Sequence, residues 1–279
     1  MHKNQMDKIF VVENAGNTCY IDSLIMALFY SPSAIDILLK KDVQEVICIY
    51  LQEYILKNFV NNVRRGKSVL QDTMHLLREL LISNGWKAIE QIEQQDINEF
   101  YVFLMDILEG PYIDIKKIGD SSMSSENDEG FMEKVPYISL TVEPGCDLSI
   151  KELFKQHTIK HNRKIYNIVN SPSILSFSIK RYGKKGEKNV SKIQINTKIK
   201  PQHNIDLIDQ HVWTFQSAIC HKGTNLKSGH YYTLLYHENS YYIFDDLCIP
   251  SLRQVNMKDS EISHMIKTEC VLIIYRFLY

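Results

Sequence analysis

The chain has 279 residues, 44% of them hydrophobic, and a formal net charge of −1. This is enough apolar content to bury a sizeable core, which excludes a disordered protein, and the balanced charge supplies no field for nucleic acid or an anionic membrane. Six scattered cysteines with no C-x-x-C pair, and apolar runs too short to span a bilayer, predict a reduced intracellular chain, cytoplasmic or nuclear, without a membrane anchor.

The first informative stretch is Asn14-Ala15-Gly16-Asn17-Thr18-Cys19-Tyr20, a turn rich in Asn and Gly that delivers a cysteine into an apolar helix running through Leu24 to Tyr30. Thr18 is the expected N-cap. Cys19 then stands at the positive end of the helix, where unpaired N–H groups and the dipole favour a thiolate and lower its pKa. Asn14, folded back beside the Cys19 N–H, would complete a two-donor oxyanion hole. A small buried core thiol is the competing reading.

From Ser33 to Leu81 apolar residues recur at helical spacing, as in Ile35, Leu38, Leu39 and later Leu70, Met74, Leu77 and Leu81. Asn84-Gly85 breaks the pattern. A further helix is expected from Asp96, with Asp96 and Glu99 at capping-box spacing, ending at Gly110-Pro111. Residues 119–130 are small, polar and acidic and predict a mobile loop. Beyond them the period becomes two: strands are expected at Tyr137–Val142, Leu175–Ile179, Trp213–Ser217, Tyr231–Tyr236, Tyr241–Phe244 and Val271–Phe277. The basic run Lys180, Arg181, Lys184, Lys185, Lys188 and Lys192 lacks interleaved aromatics and reads as a hairpin loop, not a nucleic-acid site.

His230 follows Gly229 and opens an aromatic strand; the next strand ends in Asp245-Asp246, so Asp245 can accept a hydrogen bond from the His230 ring and fix its tautomer. An ordinary surface or core histidine is the alternative on these residues alone.

Taken together, these segments resemble the ubiquitin-specific proteases, papain-like cysteine deubiquitinases. Asn14-x-Gly16-Asn17-Thr18-Cys19-Tyr20 resembles the family's cysteine box, and Gln94-Gln95-Asp96-Ile97-Asn98-Glu99-Phe100 its Gln-Gln-Asp box. Leu175 to Tyr182 resembles the strand that usually ends Leu-Lys-Arg-Phe. His221-Lys222-Gly223, Gly229-His230-Tyr231-Tyr232 and Phe244-Asp245-Asp246 resemble the histidine box, and all stand in the family's order.

The resemblance implies an α+β, papain-like fold in one catalytic domain: a helical thumb over 1–110, a reduced β fingers region over 111–172, and an antiparallel β palm over 173–279. It implies Cys19 as nucleophile, His230 as base, Asp245 as the orienting carboxylate, Asn14 as an oxyanion donor and Asp246 as an auxiliary group. Asp96, Glu99, Tyr182, His221, Gly229 and Tyr231 would line the channel for the ubiquitin tail, although capping explains the two acids and core packing the tyrosines equally well. A narrow channel near Gly229 and Tyr231 would exclude side chains beside the scissile bond. The implied partner is ubiquitin or a ubiquitinated protein, acted on by a monomer without cofactor.

Departures accompany the match. Met26 stands for a usual Gln, Asp22 for a common Asn and Tyr241 for a common Trp, and 110–172 holds only Cys146, so no structural zinc is expected. His157 and His161, at i and i+4, read as a solvated helix face. The alternatives are a protease for another ubiquitin-like modifier and a catalytically silent ubiquitin-binding module.

Overall fold

A computed structural model describes residues 9–87, 95–117, 131–160, 163–164, 166–183, 186–200, 212–225 and 228–277. Gln94, the acidic segment 119–130, His161, Lys184 and Lys185 lie outside them.

Helices fill the first third. Helix α1 (Cys19–Phe29) is buried along its whole length. A 3₁₀ turn (Ala34–Leu39) follows. Next come α2 (Val46–Tyr54), a π-helical stretch (Ile55–Val60), α3 (Asn61–Arg64), α4 (Gln71–Ser83) and α5 (Ile97–Ile107). The amphipathic spacing shows directly: α5 buries Ile97, Phe100, Tyr101, Leu104 and Met105 on one side.

Strand β1 (Ile113–Lys117) forms a small sheet with β2 (Met132–Val135) and β7 (Tyr166–Ile168), while β5 (Ile159–Lys160) and β6 (Arg163–Lys164) make a short hairpin. Helix α6 (Ile150–Thr158) lies between them in sequence. It ends at Thr158, so the helix that would put His157 and His161 on one face does not extend to position 161.

The main sheet has eight strands. These are β3 (Ile138–Thr141), β8 (Ile174–Lys180), β10 (Lys198–Ile199), β11 (Trp213–Asn225), β12 (Ser228–His237), β13 (Ser240–Phe244), β14 (Leu252–Val255) and β15 (Cys270–Phe277). The order is β14-β13-β12-β11-β15-β8-β3, with β10 also on β11. A two-stranded sheet of β4 (Leu148–Ser149) and β9 (Ile193–Gln194), and helix α7 (Ser260–Glu269), complete the described elements.

Two expectations change here. The palm is not wholly antiparallel, since β3 pairs with β8 in parallel, as β4 does with β9. Residues 138–141, assigned to the fingers region from sequence, are the edge strand of the palm instead: the apolar positions Ile138 and Leu140 are buried on it.

The sheet is covered on both faces. Ile219, Tyr231, Leu235, Leu272 and Ile274 face the helical layer, while the intervening Ala218, Cys220, Tyr232, Leu234 and Ile273 join α6 and α7 on the opposite side. Alternation along β11, β12 and β15 therefore separates two cores and not core from solvent, and β8 is buried at every position but Lys180, with Ser176 and Ser178 alternating with Leu175, Phe177 and Ile179.

Polar groups on the sheet fix where α1 sits. The four terminal carbonyls of a helix lack partners within it. Gln216 Nε2 donates to Ala27 O and Leu28 O at 2.9 and 2.8 Å, and Ser217 Oγ donates to Ala27 O at 2.8 Å. Thr233 Oγ1 donates to Ser23 O at 3.0 Å. These bonds anchor the cysteine helix across β11 and β12, the strands that carry His221 and His230.

Candidate active site

The cysteine turn is held from several sides. Gly16 and Asn17 both adopt positive φ, +79° and +51°, which reverses the chain just before α1 and explains the Gly-Asn pair. Asn14 Oδ1 accepts from the Gly16 N–H at 2.8 Å. Arg78, buried on the apolar face of α4 beside Met74, Leu77 and Leu81, donates to Ala15 O at 3.1 Å and Gly16 O at 2.8 Å. Sequence reading passed over Arg78; the signal was a guanidinium on the inward stripe of an amphipathic helix. Thr18 precedes α1 as expected, but its hydroxyl does not cap the helix. It accepts from the Ala15 N–H at 3.0 Å and lies 3.4 Å from Asp22 Oδ2.

The base side comes from the sheet. His230 opposes Lys222 across β11 and β12, and Asp245 and Asp246 follow the end of β13, which pairs with β12 through Thr233 and Phe244. His230 Nε2 is 2.8 Å from Asp245 Oδ1 and 3.5 Å from Asp246 Oδ1. A carboxylate only accepts, so Nε2 carries the proton and Nδ1 is left as the basic nitrogen. Burial works to raise the Asp245 pKa, but the His230 hydrogen bond and charge, with the Leu247 amide, outweigh it and hold the carboxyl below its ordinary value.

Asn14 completes the link between the two sides. Its Nδ2 donates to Asp246 Oδ2 at 2.6 Å, which leaves its second N–H available to an oxyanion. The chain before the cysteine and the chain after the aspartates are also tied together: the Val12 N–H donates to Ser251 Oγ at 3.0 Å, and the Ser251 N–H to Phe10 O at 3.0 Å.

The thiol departs from expectation. Cys19 is 5% exposed, and its pKa is pushed up to about 12, first by burial and further by the negative field of Asp246. The Tyr231 and Tyr20 amides bear on the sulfur and lower the value only in part. The helix N-terminus does not outweigh desolvation here, so the resting group is a thiol. Among the described residues no hydrogen bond joins Cys19 and His230, whose ring is engaged by the aspartates.

Sequence comparison gives the family of the chain, and fold comparison gives its architecture. The profile described as ubiquitin carboxyl-terminal hydrolase matches residues 11–271. The chain belongs to that family. A curated relative, ubiquitin carboxyl-terminal hydrolase 15 of Schizosaccharomyces pombe, is 23% identical over 280 aligned positions, covering 84% of this chain and 24% of the relative. This chain thus spans about a quarter of that relative's length. Among solved structures, the SAGA DUB module of Ubp8, Sgf11, Sus1 and Sgf73 bound to monoubiquitin superposes with a TM-score of 0.72 at 15% identity, covering 100% of this chain and 71% of that one. The same module bound to ubiquitin aldehyde gives 0.70 at the same identity and coverage. These superpositions show the α+β fold of the family's deubiquitinase domains.

The remaining positions drawn from the family's motifs separate into distinct environments. A pocket beside Tyr231 is lined by Asp96, Asn98, Lys180 and Tyr182 among others. Asp96 also caps α5, accepting from the Asn98 N–H at 2.7 Å, as the capping reading expects. Glu99 is outside this lining and stands exposed on the first turn of α5. Tyr231 is buried, and its hydroxyl accepts from the Ile97 N–H at 3.4 Å.

His221 is an interior ring, and Gly229 is an exposed residue packed close against it. His221 is 0% exposed, sits 4.6 Å from the Tyr231 ring by centroids and hydrogen-bonds the Tyr182 hydroxyl through Nδ1. Burial, then the Lys188 and His230 charges, push its pKa down to about 4, so the ring is neutral and positions Tyr182. Gly229 has φ +153°, and a Cβ there would come within 2.5 Å of Lys222 O and 2.6 Å of His221 Nε2. Its small size is demanded by the protein's own neighbouring strand.

The basic segment after β8 is also not uniformly solvated. Arg181 is 1% exposed and spends its guanidinium on the carbonyls of Cys270, Asn189, Ser191 and Lys267. An antiparallel bridge between Tyr182 and Lys188 agrees with the hairpin reading. His230, Asp245 and Asp246 are the one group of metal-ligand composition among the described residues, their donor atoms within 4.8 Å of one another. The His230 bond to Asp245 and the Asn14 bond to Asp246 already account for these side chains.

Proposed function

We propose that the chain is a deubiquitinating thiol hydrolase that cleaves the isopeptide or peptide bond after the C-terminal glycine of ubiquitin through a Cys19 thioester. The observation that carries this reading is that the amide of Tyr231, the residue after His230 on β12, bears on the Cys19 sulfur at the start of α1 while Asp245, just past β13, holds the His230 ring, in a member of the ubiquitin carboxyl-terminal hydrolase family.

The steps follow from the groups present. His230 Nδ1 takes the Cys19 proton, and the sulfur attacks the carbonyl carbon of the terminal glycine. The free N–H of Asn14 and the Cys19 amide receive the oxyanion, each such donor being worth about a hundredfold or more in comparable hydrolases. Collapse breaks the C–N bond while His230 returns the proton to the leaving lysine amine. Water, deprotonated by His230, then attacks the thioester and releases ubiquitin and the thiol. Asp245 keeps Nε2 protonated throughout and stabilises the imidazolium. Asp96 offers a carboxylate in the pocket beside Tyr231, suited to an arginine in the ubiquitin tail.

The test is ubiquitin carrying a C-terminal thiol-reactive warhead, with wild type and Cys19→Ala compared by intact mass. One ubiquitin added to wild type and none to the variant is the expected result. A folded wild type that forms no adduct overturns the reading, and the same warhead on other ubiquitin-like modifiers then distinguishes a different modifier protease from a silent binding module.

A further inference from the structure

Asp22 is an acidic side chain inside an apolar helix. It is 0% exposed, one turn along α1 from Cys19, and its carboxyl lies within hydrogen-bond reach of Asp246, itself almost wholly enclosed. The groups around the pair are Thr18 at 3.4 Å from Asp22 Oδ2, Asn14 at 2.6 Å from Asp246 Oδ2, and His230 at 3.5 Å from Asp246 Oδ1. His230 donates to Asp245 and not to Asp246. Arg78, the nearby cation from α4, is bound to the Ala15 and Gly16 carbonyls, and Cys19 and Tyr20 on α1 are neutral in the resting state. Asp22 Oδ1 and Asp246 Oδ1 are both buried without a donor among the described residues. Two ionised carboxylates accept only and repel; in contact and shielded from water, they are compatible when one proton lies between them.

We propose that Asp22 and Asp246 share a single proton, making Asp22 a neutral hydrogen-bond donor that positions the Asp246 carboxylate and, through it, the Asn14 carboxamide. Asp22 touches no reacting atom and is a positioning residue. Burial, with the Asp246 charge, raises the Asp22 carboxyl well above its ordinary value, and burial raises Asp246 as well, against the lowering Asp22, His230 and Asn14 interactions, in agreement with a retained proton. The arrangement gives the pair one negative charge at neutral pH: enough to orient Asn14, without placing two charges under the thiol.

The sign of the pH effect distinguishes this pair from an ordinary buried aspartate. A folded carboxyl that keeps its proton above the unfolded value of about 4 binds more protons than the unfolded chain, so stability falls as pH rises from there toward the folded value. In Asp22→Asn the side chain donates without titrating and that slope disappears. The Tm advantage of Asp22→Asn over wild type is therefore expected to grow from pH 5 to pH 9. An ionised Asp22 held by donors, with its pKa below the unfolded value, completes its titration below pH 5 and gives a Tm difference that stays level from pH 5 to pH 9.

The experiment uses the full chain and three readouts. In infrared difference spectra of wild type minus Asp22→Asn, a protonated carboxylic C=O band that shifts on deuteration is expected at pH 7. Thermal melting of both proteins across pH 5 to 9 gives the slope. On a fluorogenic ubiquitin C-terminal amide, Asp22→Ala is expected to lose about tenfold or more in kcat/KM through the orphaned Asp246, while Asp22→Asn recovers to within about threefold of wild type. Absence of the carboxylic band, or a Tm difference that stays level or shrinks from pH 5 to pH 9, overturns the shared proton, and an Asn variant as impaired as Ala overturns the positioning role. The kinetic arm rests on the proposed activity; the infrared and melting arms do not, so failure of that activity leaves the proton test intact.

Discussion

The proposed base, His230, and the proposed nucleophile, Cys19, come from different layers, and only the first has its partner in place. On the sheet side, His230 is already fixed: 2.8 Å from Asp245, partly open to solvent, its tautomer set by a carboxylate held below its ordinary pKa. On the helix side, Cys19 is buried and its thiol pKa stands near 12. The same fold thus supplies a ready base and a quiescent nucleophile. Desolvation accounts for the difference, because the His230 charge has a carboxylate partner while a Cys19 thiolate would sit in the negative field of Asp246. In its resting form the protonated thiol is protected from adventitious oxidants.

The largest expected effect breaks the finished half. Asp245→Asn lets Nε2 act as the acceptor and places the proton on Nδ1, so kcat should drop by about 10²- to 10⁴-fold with KM little changed, as read by steady-state hydrolysis of a ubiquitin C-terminal amide. A loss confined to KM would show that Asp245 shapes binding and not the tautomer.

The unfinished half is sharpened by alkylation. With its pKa near 12, Cys19 in the free protein should react with iodoacetamide at least about a hundredfold slower than free cysteine at pH 7.5, and the rate should climb through pH 10 without a plateau. The sign is fixed by the raised value, since the thiolate fraction grows tenfold per pH unit anywhere below it. A plateau near pH 7, followed by peptide mapping at Cys19, would mean a preformed thiolate and erase the contrast.

A smaller effect concerns the strand that joins the two halves. Gly229→Ala places a methyl 2.5 Å from Lys222 O, which forces the β11 and β12 backbones apart. It should cost about 1–3 kcal/mol in chemical denaturation and displace His230 with it. Unchanged stability would show that the hairpin end yields freely. Smallest is the comparison of the two acids on α5. Asp96→Asn retains the helix cap and removes the charge, so Tm should hold while KM for ubiquitin substrates rises about tenfold. Glu99→Gln, exposed and outside the pocket, should change KM by less than about twofold. Equal effects would place the arginine contact elsewhere.

Local sequence was legible where a local cause decides the outcome. The Gly16-Asn17 reversal, the cap at Asp96, the apolar stripe of α5 and the strands β8, β11, β12, β13 and β15 all follow from residue type and period, and the boxes around Cys19, His230 and Asp245 carry the family resemblance. What the sequence could not supply is burial and cross-chain contact. The helix dipole predicted a depressed Cys19 pKa because the dipole is readable from one dimension, whereas the desolvation that overrides it exists only once α1 lies across β11 and β12. Tertiary packing likewise decided that His221 is an interior ring, that Gly229 yields space to its own hairpin, that Arg78 holds the cysteine turn, and that Asp22 meets Asp246 more than two hundred positions away. Pattern and turn chemistry act between neighbours, so the sequence determines them by itself; electrostatics depends on what excludes water, and only the folded arrangement determines that.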